Sequence, residues 1–138
     1  MISRRTVLAV AVGAVVAAGS AFLPAGTLTA AAAERVPFDR AAFDSALQAG
    51  GPVLIDISAS WCSTCARQRA VLAELTARPA YAGFTIFVVD YDTEKDIMRA
   101  FGATQRSTLI AFKGGQETGR IVGDTRPDAI EALLASAV

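Results

Sequence analysis

A strand-like apolar segment that leads directly into a pair of cysteines constrains the fold of this chain more than any other feature. Residues 52–58 are almost continuously apolar, which is typical of a central strand covered on both faces. The motif WCSTC occupies residues 61–65, and a helical pattern with an apolar stripe continues from Cys62 to Ala77. Strand, cysteine pair and helix therefore form one predicted unit of an α/β domain.

The rest of the chain continues this alternation of strands and helices, without an internal repeat or a linker. Gly114 and Gly115 separate the last two apolar segments, which predicts a β-hairpin. This order predicts a three-layer α/β/α domain whose mixed central sheet ends in a β-hairpin and a C-terminal helix. The predicted elements are an edge strand at 36–38, a helix at 40–48 capped by Asp39, strands at 52–58 and 84–90 with the helix 62–77 between them, a helix at 93–101, the hairpin strands 108–113 and 117–122, and a helix at 128–137.

Residues 1–33 differ from the rest in composition and have the three parts of an export signal. A basic pair at residues 4–5 carries their only charges, an apolar run follows over residues 7–23, and small residues end the segment. We expect cleavage after Ala33, which leaves a domain of residues 34–138 in the periplasm. The basic pair resembles a twin-arginine signal. Retention as a membrane anchor is the alternative, because about 17–25 apolar residues can span a bilayer.

The expected mature domain is close to neutral. Without the two arginines of the signal, 11 of the 13 basic residues remain against 13 acidic ones, a net charge of −2. Binding of nucleic acid would require a basic surface, and the basic residues are scattered singly rather than clustered for a membrane surface. We therefore expect protein partners, no nucleic acid, and no stable association with the membrane once the signal is removed.

The two cysteines are the only ones in a chain that has no histidine. As a structural disulfide they would close a loop of about four residues and contribute only about 2 kcal/mol, so their spacing suits chemistry better than stability. Unpaired N–H groups at a helix start favour a thiolate. We expect Cys62 to be the exposed nucleophile that attacks a substrate disulfide, and Cys65 to resolve the mixed disulfide. The alternative is a dimer that holds a metal or cluster with four shared thiolates, since one chain cannot supply the four ligands of a closed zinc site.

Several segments together resemble the thioredoxin family over nearly the whole of the expected mature domain. They are the strand 52–58 with the cysteine motif, the strand end at 89–92, the segment TLIAFKGG at 108–115, and Gly123 before the last helix. The resemblance implies a protein thiol–disulfide oxidoreductase whose redox group is the disulfide itself, with no separate cofactor and no metal. It further implies a monomer that exchanges electrons with protein thiols and with a membrane-bound electron donor.

The resemblance also implies roles for residues around the cysteines. Asp56 takes the place of a buried carboxylate that moves protons for Cys65, and burial on a central strand should raise its pKa. Trp61 is expected to pack beside the pair. Ser63 and Thr64 stand where the family has Gly-Pro, so they are assigned to redox tuning, and no redox potential can be inherited from the family.

The loop before the threonine-led strand departs from the family pattern. A cis-proline is usual there, whereas this chain has Ser107 before Thr108. Because a cis bond before serine costs about 2.5–4 kcal/mol, we expect either a strained cis bond between Arg106 and Ser107 or a loop of changed shape. The serine hydroxyl can tune Cys62 or contact substrate, and Arg106 adds positive charge. Substrate binding is therefore assigned to Trp61, Arg106, Ser107 and Thr108.

Two further departures concern the second helix and the buried acid. Ala70 stands where a proline bends the helix, and Val88 stands where a lysine partners the acid. These differences place the chain outside the housekeeping members, among exported relatives with particular partners. The chain has no room for an inserted helical domain, and single-domain relatives are more often reductants, so we expect it to reduce its partners rather than oxidise them.

Overall fold

The computed structural model describes residues 33–138, so the predicted export signal lies outside the described part apart from its last residue. All the predicted elements are present in the predicted order. Within the described residues, no helix is both long enough and apolar enough to cross a bilayer. The elements are β1 (Glu34–Pro37), α1 (Arg40–Gln48), β2 (Pro52–Ser58), α2 (Ser63–Thr76), β3 (Thr85–Asp90), α3 (Lys95–Ala100), β4 (Thr108–Lys113), β5 (Gln116–Val122) and α4 (Pro127–Ala135).

The five strands form one mixed sheet in the order β1-β3-β2-β4-β5. The strands β1, β3 and β2 run parallel, whereas β4 is antiparallel to both β2 and β5. In this register Asp56 of β2 lies opposite Val88 of β3 on one side and Leu109 of β4 on the other. The central position of β2, predicted from its continuous apolar run, is confirmed.

Side chains of alternating strand residues divide the core into two clusters, one on each face of the sheet. Leu54 packs with Leu72 of α2 and Leu134 of α4. On the opposite face, Ile55 belongs to a cluster with Phe43 of α1 and Met98 of α3. The helices α2 and α4 therefore cover one face and α1 and α3 the other, which confirms the three-layer architecture.

The start of α3 differs from the prediction, because a turn occupies the residues that we expected in its first turn. Asp90 accepts hydrogen bonds from the backbone N–H groups of Asp92 and Thr93, both at 2.9 Å. The aspartate side chain thereby stabilises a turn at residues 90–93 in place of the first helical turn. The helix consequently begins at Lys95, and Glu94 occupies the cap position without a side-chain hydrogen bond to the helix.

Candidate active site

Cys62 and Cys65 form a disulfide at the start of α2. Cys62 is the N-cap, with extended backbone dihedrals, and its Sγ accepts a hydrogen bond from the N–H of Cys65 at 3.1 Å. The sulfur thus takes the place of the oxygen that usually caps a helix. The unpaired N–H groups and the helix macrodipole favour negative charge at this atom. The predicted location of the pair at a helix start is confirmed.

The structure corrects the expectation that Cys62 is exposed. In the disulfide form Cys62 is only 4% exposed, against 2% for Cys65. Cys62 packs against Ala59 and the partly buried Tyr91, while the loop before β4 covers its other side. The position of Cys62 at the start of the helix predicts a cysteine more exposed than Cys65. In the disulfide form the difference in exposure between the two is small.

Ser107 lies against both sulfurs. Its Oγ is 3.2 Å from the Sγ of Cys62 and 3.2 Å from the Sγ of Cys65. The bond between Arg106 and Ser107 is trans, and Ser107 has a φ of 57°. Of the two alternatives stated above, the loop has therefore changed shape. The left-handed region is sparsely populated by residues other than glycine and costs an L-residue roughly 1–2 kcal/mol.

The strained conformation of Ser107 is held by hydrogen bonds to its carbonyl oxygen. Nε2 of the buried Gln68 donates to this oxygen at 3.1 Å, and the N–H of Gly123 donates at 2.8 Å. The same Nε2 also donates to the carbonyl oxygen of Asp124 at 2.9 Å. One helix side chain thus joins the loops before β4 and after β5. Gln68 was not predicted as a site residue, because its position within the helix gives no sign of these contacts.

Asp56 is buried on the face of β2 that α2 covers, and it is paired with Arg35. Nη2 of Arg35, on β1, reaches across β3 and donates to Oδ2 of Asp56 at 2.5 Å. Among the described residues, Oδ1 of Asp56 has no hydrogen-bond partner. Burial raises the pKa of Asp56 above its ordinary range, while the guanidinium groups of Arg35 and Arg69 oppose this rise. The predicted direction of the pKa is confirmed.

Arg35 is a site residue that its place in the sequence does not reveal. The predicted β1 began at residue 36, and no role was assigned to the residue before it. Val88, where the family has a lysine, faces Asp56 across the β2–β3 pair without supplying a charge. The cation comes instead from the next strand along the sheet. Only the strand order, with β1 beside β3, brings Arg35 to the carboxylate.

Trp61 and Arg106 form an exposed rim beside the disulfide. The guanidinium carbon of Arg106 lies 4.9 Å from the centre of the Trp61 ring, within the range of a cation–π contact. Nε1 of Trp61 donates to Oδ2 of Asp92 at 2.8 Å, and Tyr91 packs edge-on against the indole. Trp61 directly precedes Cys62 in the chain, but it is 58% exposed and lies outside the cluster around the cysteines. Tyr91 and Asp92 were not predicted as site residues.

A polar groove of about 220 Å³ opens along the loop before β4. Thr64 lines it, together with Arg106 and Ser107. Thr108, which we also assigned to substrate binding, is buried, and its Oγ1 donates to the carbonyl oxygen of Gln105 at 2.7 Å. Ser63 is exposed on the first turn of α2. Four of the predicted residues thus surround the groove or its rim, and the Thr108 hydroxyl is used within the loop.

A metal site of protein ligands is not formed by the described part of the chain. No group of three or more histidine, cysteine, aspartate or glutamate side chains in residues 33–138 lies close enough to share an ion. The chemistry that the geometry supplies is that of the two sulfurs, with a buried carboxylate on the sheet side and a hydroxyl on the loop side.

Comparison with known proteins agrees with this site. The sequence model of the family described as Thioredoxin matches residues 34–136. A thioredoxin from Mycobacterium bovis is 36% identical over 92 residues, which are 67% of this chain and 78% of that protein. A thioredoxin from Alicyclobacillus acidocaldarius is 33% identical over 93 residues, 67% of this chain and 88% of its own. Among solved structures, Trxlp from Edwardsiella tarda superposes with a TM-score of 0.70 at 40% identity, covering 73% of this chain and 98% of that one.

Proposed function

The chain belongs to the thioredoxin family and is a protein-disulfide oxidoreductase, and from that premise we propose that it reduces disulfides of partner proteins in the periplasm. The observation that carries this proposal is the Cys62–Cys65 disulfide at a helix start, on the same face of the sheet as a buried carboxylate. The proposal includes export through the signal at residues 1–33, removal of that signal, and reduction of the disulfide by a membrane-bound donor. We propose that the mature protein is a monomer.

In the proposed reaction Cys62 is the nucleophile. Its thiolate attacks one sulfur of the substrate disulfide, the substrate S–S bond breaks, and the other substrate sulfur leaves as a thiolate. Asp56 accepts the proton of Cys65, which suits a carboxylate whose pKa is raised by burial. The Cys65 thiolate then attacks Sγ of Cys62 and expels the second substrate thiolate. Two electrons pass to the substrate, and the Cys62–Cys65 disulfide forms.

The rim and groove are the proposed substrate surface. Trp61 and Arg106 stand beside the sulfurs and are exposed, so a partner that reaches Cys62 meets them first. Ser107 lines the groove, and the adjoining Thr108 holds the loop before β4 in shape through its hydrogen bond to Gln105. The two residues between the cysteines, Ser63 and Thr64, adjust the redox equilibrium because they set the first turn of the helix that stabilises the thiolate.

The function is tested by exchange with a model protein disulfide. Cys62→Ala is expected to abolish reduction. In the Cys65→Ala variant Cys62 should still attack the substrate disulfide once, and the mixed disulfide between variant and substrate should accumulate. Reduction at the wild-type rate by Cys62→Ala would contradict the proposal. A stoichiometric metal in protein purified under reducing conditions would favour the metal-binding dimer instead.

Direction and location need separate measurements. Equilibration of the Cys62–Cys65 pair with glutathione gives its reduction potential: a value of about −270 mV indicates a reductant and one of about −120 mV an oxidant. Fractionation of cells that express the full chain, followed by N-terminal sequencing, tests export. A mature protein that starts at Glu34 in the periplasm is expected. An intact N-terminus in the cytoplasm would contradict the proposed location.

A further inference from the structure

We propose that Ser107 is a catalytic residue whose hydroxyl serves the two sulfurs in turn, donating a hydrogen bond to whichever of them carries the thiolate charge. This inference rests on the proposed function, since it concerns the same exchange reaction. It gives Ser107 a role beyond substrate contact and makes the loop before β4 part of the redox centre.

The first argument is the position of the hydroxyl. Its oxygen is equally distant from both Sγ atoms, at 3.2 Å. A serine hydroxyl has a single hydrogen, which turns about the Cβ–Oγ bond, and two lone pairs that accept. It can therefore donate to Cys62 or to Cys65, but not to both at once. A change of partner requires only rotation of the hydrogen, because the oxygen already lies within reach of each sulfur.

The second argument is the backbone conformation. Ser107 is 3% exposed and has a φ of 57°. Glycine adopts this conformation at no steric cost. Relative to glycine, serine contributes a Cβ, which is unfavourable here, and a hydroxyl. Gln68 and Gly123 hold the carbonyl oxygen of Ser107, and strained residues persist where the surroundings fix them in this way. These hydrogen bonds offset the backbone strain of Ser107, and the conformation they hold places its hydroxyl against the two sulfurs.

The hydroxyl acts at two stages of the exchange. In the reduced protein it donates to the Cys62 thiolate, which increases the share of Cys62 that is ionised. After Cys62 has formed the mixed disulfide, the proton of Cys65 passes to Asp56, and the hydroxyl donates to the resulting Cys65 thiolate. When Cys65 attacks Cys62, the charge leaves on the substrate sulfur and the disulfide closes. Ser107 keeps its own proton throughout, so the balance of electrons and protons is unchanged.

The redox equilibrium follows from these contacts. A hydrogen bond to an ionised group is stronger than one to a neutral acceptor, and disulfide sulfurs are neutral. The hydroxyl therefore stabilises the reduced form more than the oxidised form. Its loss is expected to shift the equilibrium with glutathione toward the oxidised protein by about tenfold to a hundredfold, which corresponds to a fall of about 30–60 mV in reduction potential.

Two variants separate the hydroxyl from the backbone strain. Ser107→Ala removes the hydroxyl and keeps a Cβ at positive φ, whereas Ser107→Gly removes both. If the hydroxyl is the active group, the two variants shift the glutathione equilibrium by similar factors. Both also move the formation of the Cys62 thiolate, followed by its ultraviolet absorbance, to higher pH. Thermal unfolding should differ, since glycine relieves strain that alanine retains.

The outcomes distinguish this inference from the proposed function. The proposed role of the hydroxyl is overturned if neither Ser107 variant, or only one of the two, alters the glutathione equilibrium and the thiolate titration. In that case inactivity of Cys62→Ala still supports the oxidoreductase function. If Cys62→Ala keeps the wild-type exchange rate, the proposed function fails regardless of Ser107. Circular dichroism of each variant shows that the fold is retained.

Discussion

The two groups assigned to assist the cysteines, the Asp56 carboxylate and the Ser107 hydroxyl, lie in surroundings that differ in their chemistry. On the parallel side of the sheet, β1 and β2 supply charged groups, the Asp56 carboxylate and the Arg35 guanidinium, 2.5 Å apart. On the antiparallel side, the loop before β4 supplies the neutral hydroxyl of Ser107. The carboxylate titrates and depends on burial and on nearby charge, whereas the hydroxyl does not titrate in the accessible pH range. The two sides should therefore act on the reaction in different ways: the carboxylate gains and loses a proton itself, whereas the hydroxyl keeps its proton and acts through the ionisation of the sulfurs.

The two sides also differ in how they are held. The carboxylate side depends on a long-range ion pair that crosses an intervening strand, and one oxygen of Asp56 has no partner in the described part of the chain. The hydroxyl side depends on hydrogen bonds to the backbone, from Gln68 and Gly123. Removal of a charge should therefore affect the whole β1–β3–β2 region, whereas removal of the hydroxyl should remain local to the sulfurs.

The largest effect is expected when the carboxylate is replaced. Asp56→Asn removes the proposed proton acceptor for Cys65 and leaves Ser107 in place. Proton transfer by a positioned side chain contributes about 10²–10⁴-fold to a rate, and we expect resolution of the mixed disulfide to slow by that order at neutral pH. Single-turnover kinetics measure this step. An unchanged rate of resolution would remove the carboxylate from the mechanism.

The same variant is expected to be more stable than the wild type in alkaline buffer. Burial raises the pKa of Asp56 above its ordinary value of 3.8, so the native state binds this proton more tightly than the unfolded state. Stability then falls as pH rises from the ordinary value through the raised one. Asp56→Asn lacks this loss, so the free energy of unfolding of the variant should exceed that of the wild type above that window. Urea unfolding above and below the window measures it, and a gain at low pH alone would contradict the sign.

A smaller effect is expected when the cation is removed. Arg35→Met leaves Asp56 without its ion-pair partner, so the pKa of Asp56 should rise further and the resolution step should need a higher pH. At neutral pH we expect the rate of resolution to fall about tenfold, which corresponds to a change of about 1.4 kcal/mol. The pH profile of resolution measures the shift. Arg35→Lys is the matched control that keeps a positive charge at the same position.

Arg69 offers a second comparison within the same region. Its guanidinium also lowers the pKa of Asp56, but less than Arg35 does. Arg69→Met should therefore shift the pH profile in the same direction by a smaller amount. If Arg69→Met had the larger effect, the ion pair across β3 would not be the main partner of the carboxylate.

The smallest effect is expected at the exposed rim. Arg106→Gln removes the cation–π contact with Trp61, a contact worth about 0.5–1 kcal/mol at an exposed site. We expect KM for a protein disulfide to rise by about two- to fivefold, with kcat nearly unchanged. Arg99→Gln, at an exposed position on α3, is the control. A fall in kcat without a change in KM would place Arg106 in the chemical step instead.

Features that depend on neighbouring residues were predictable from the sequence. The cap at Asp39, the strand at 108–113 and the place of the cysteines at a helix start need only local patterns, and the structure confirms them. The contact of Ser107 with both sulfurs could be anticipated only in part, because the resemblance placed this residue beside the cysteines while its backbone conformation depends on Gln68.

Features that depend on sheet order and packing were not predictable. Arg35 lies 21 residues before Asp56 and reaches it only because β1 pairs with β3. Burial of Cys62 likewise follows from packing against Ala59 and the approach of a distant loop. A position at a helix start predicts that a sulfur is accessible. The residues and loops that pack around the sulfur determine how much of its surface is exposed.

The position of Arg35 has a consequence for maturation of the protein. If the signal is removed after Ala33, Arg35 becomes the second residue of the secreted chain, on an edge strand of four residues that pairs with β3. Cleavage two residues later, or trimming by an aminopeptidase, would then delete the cation without altering the disulfide. The choice of cleavage bond would thereby set the acidity of a carboxylate in the core as well as the length of the chain.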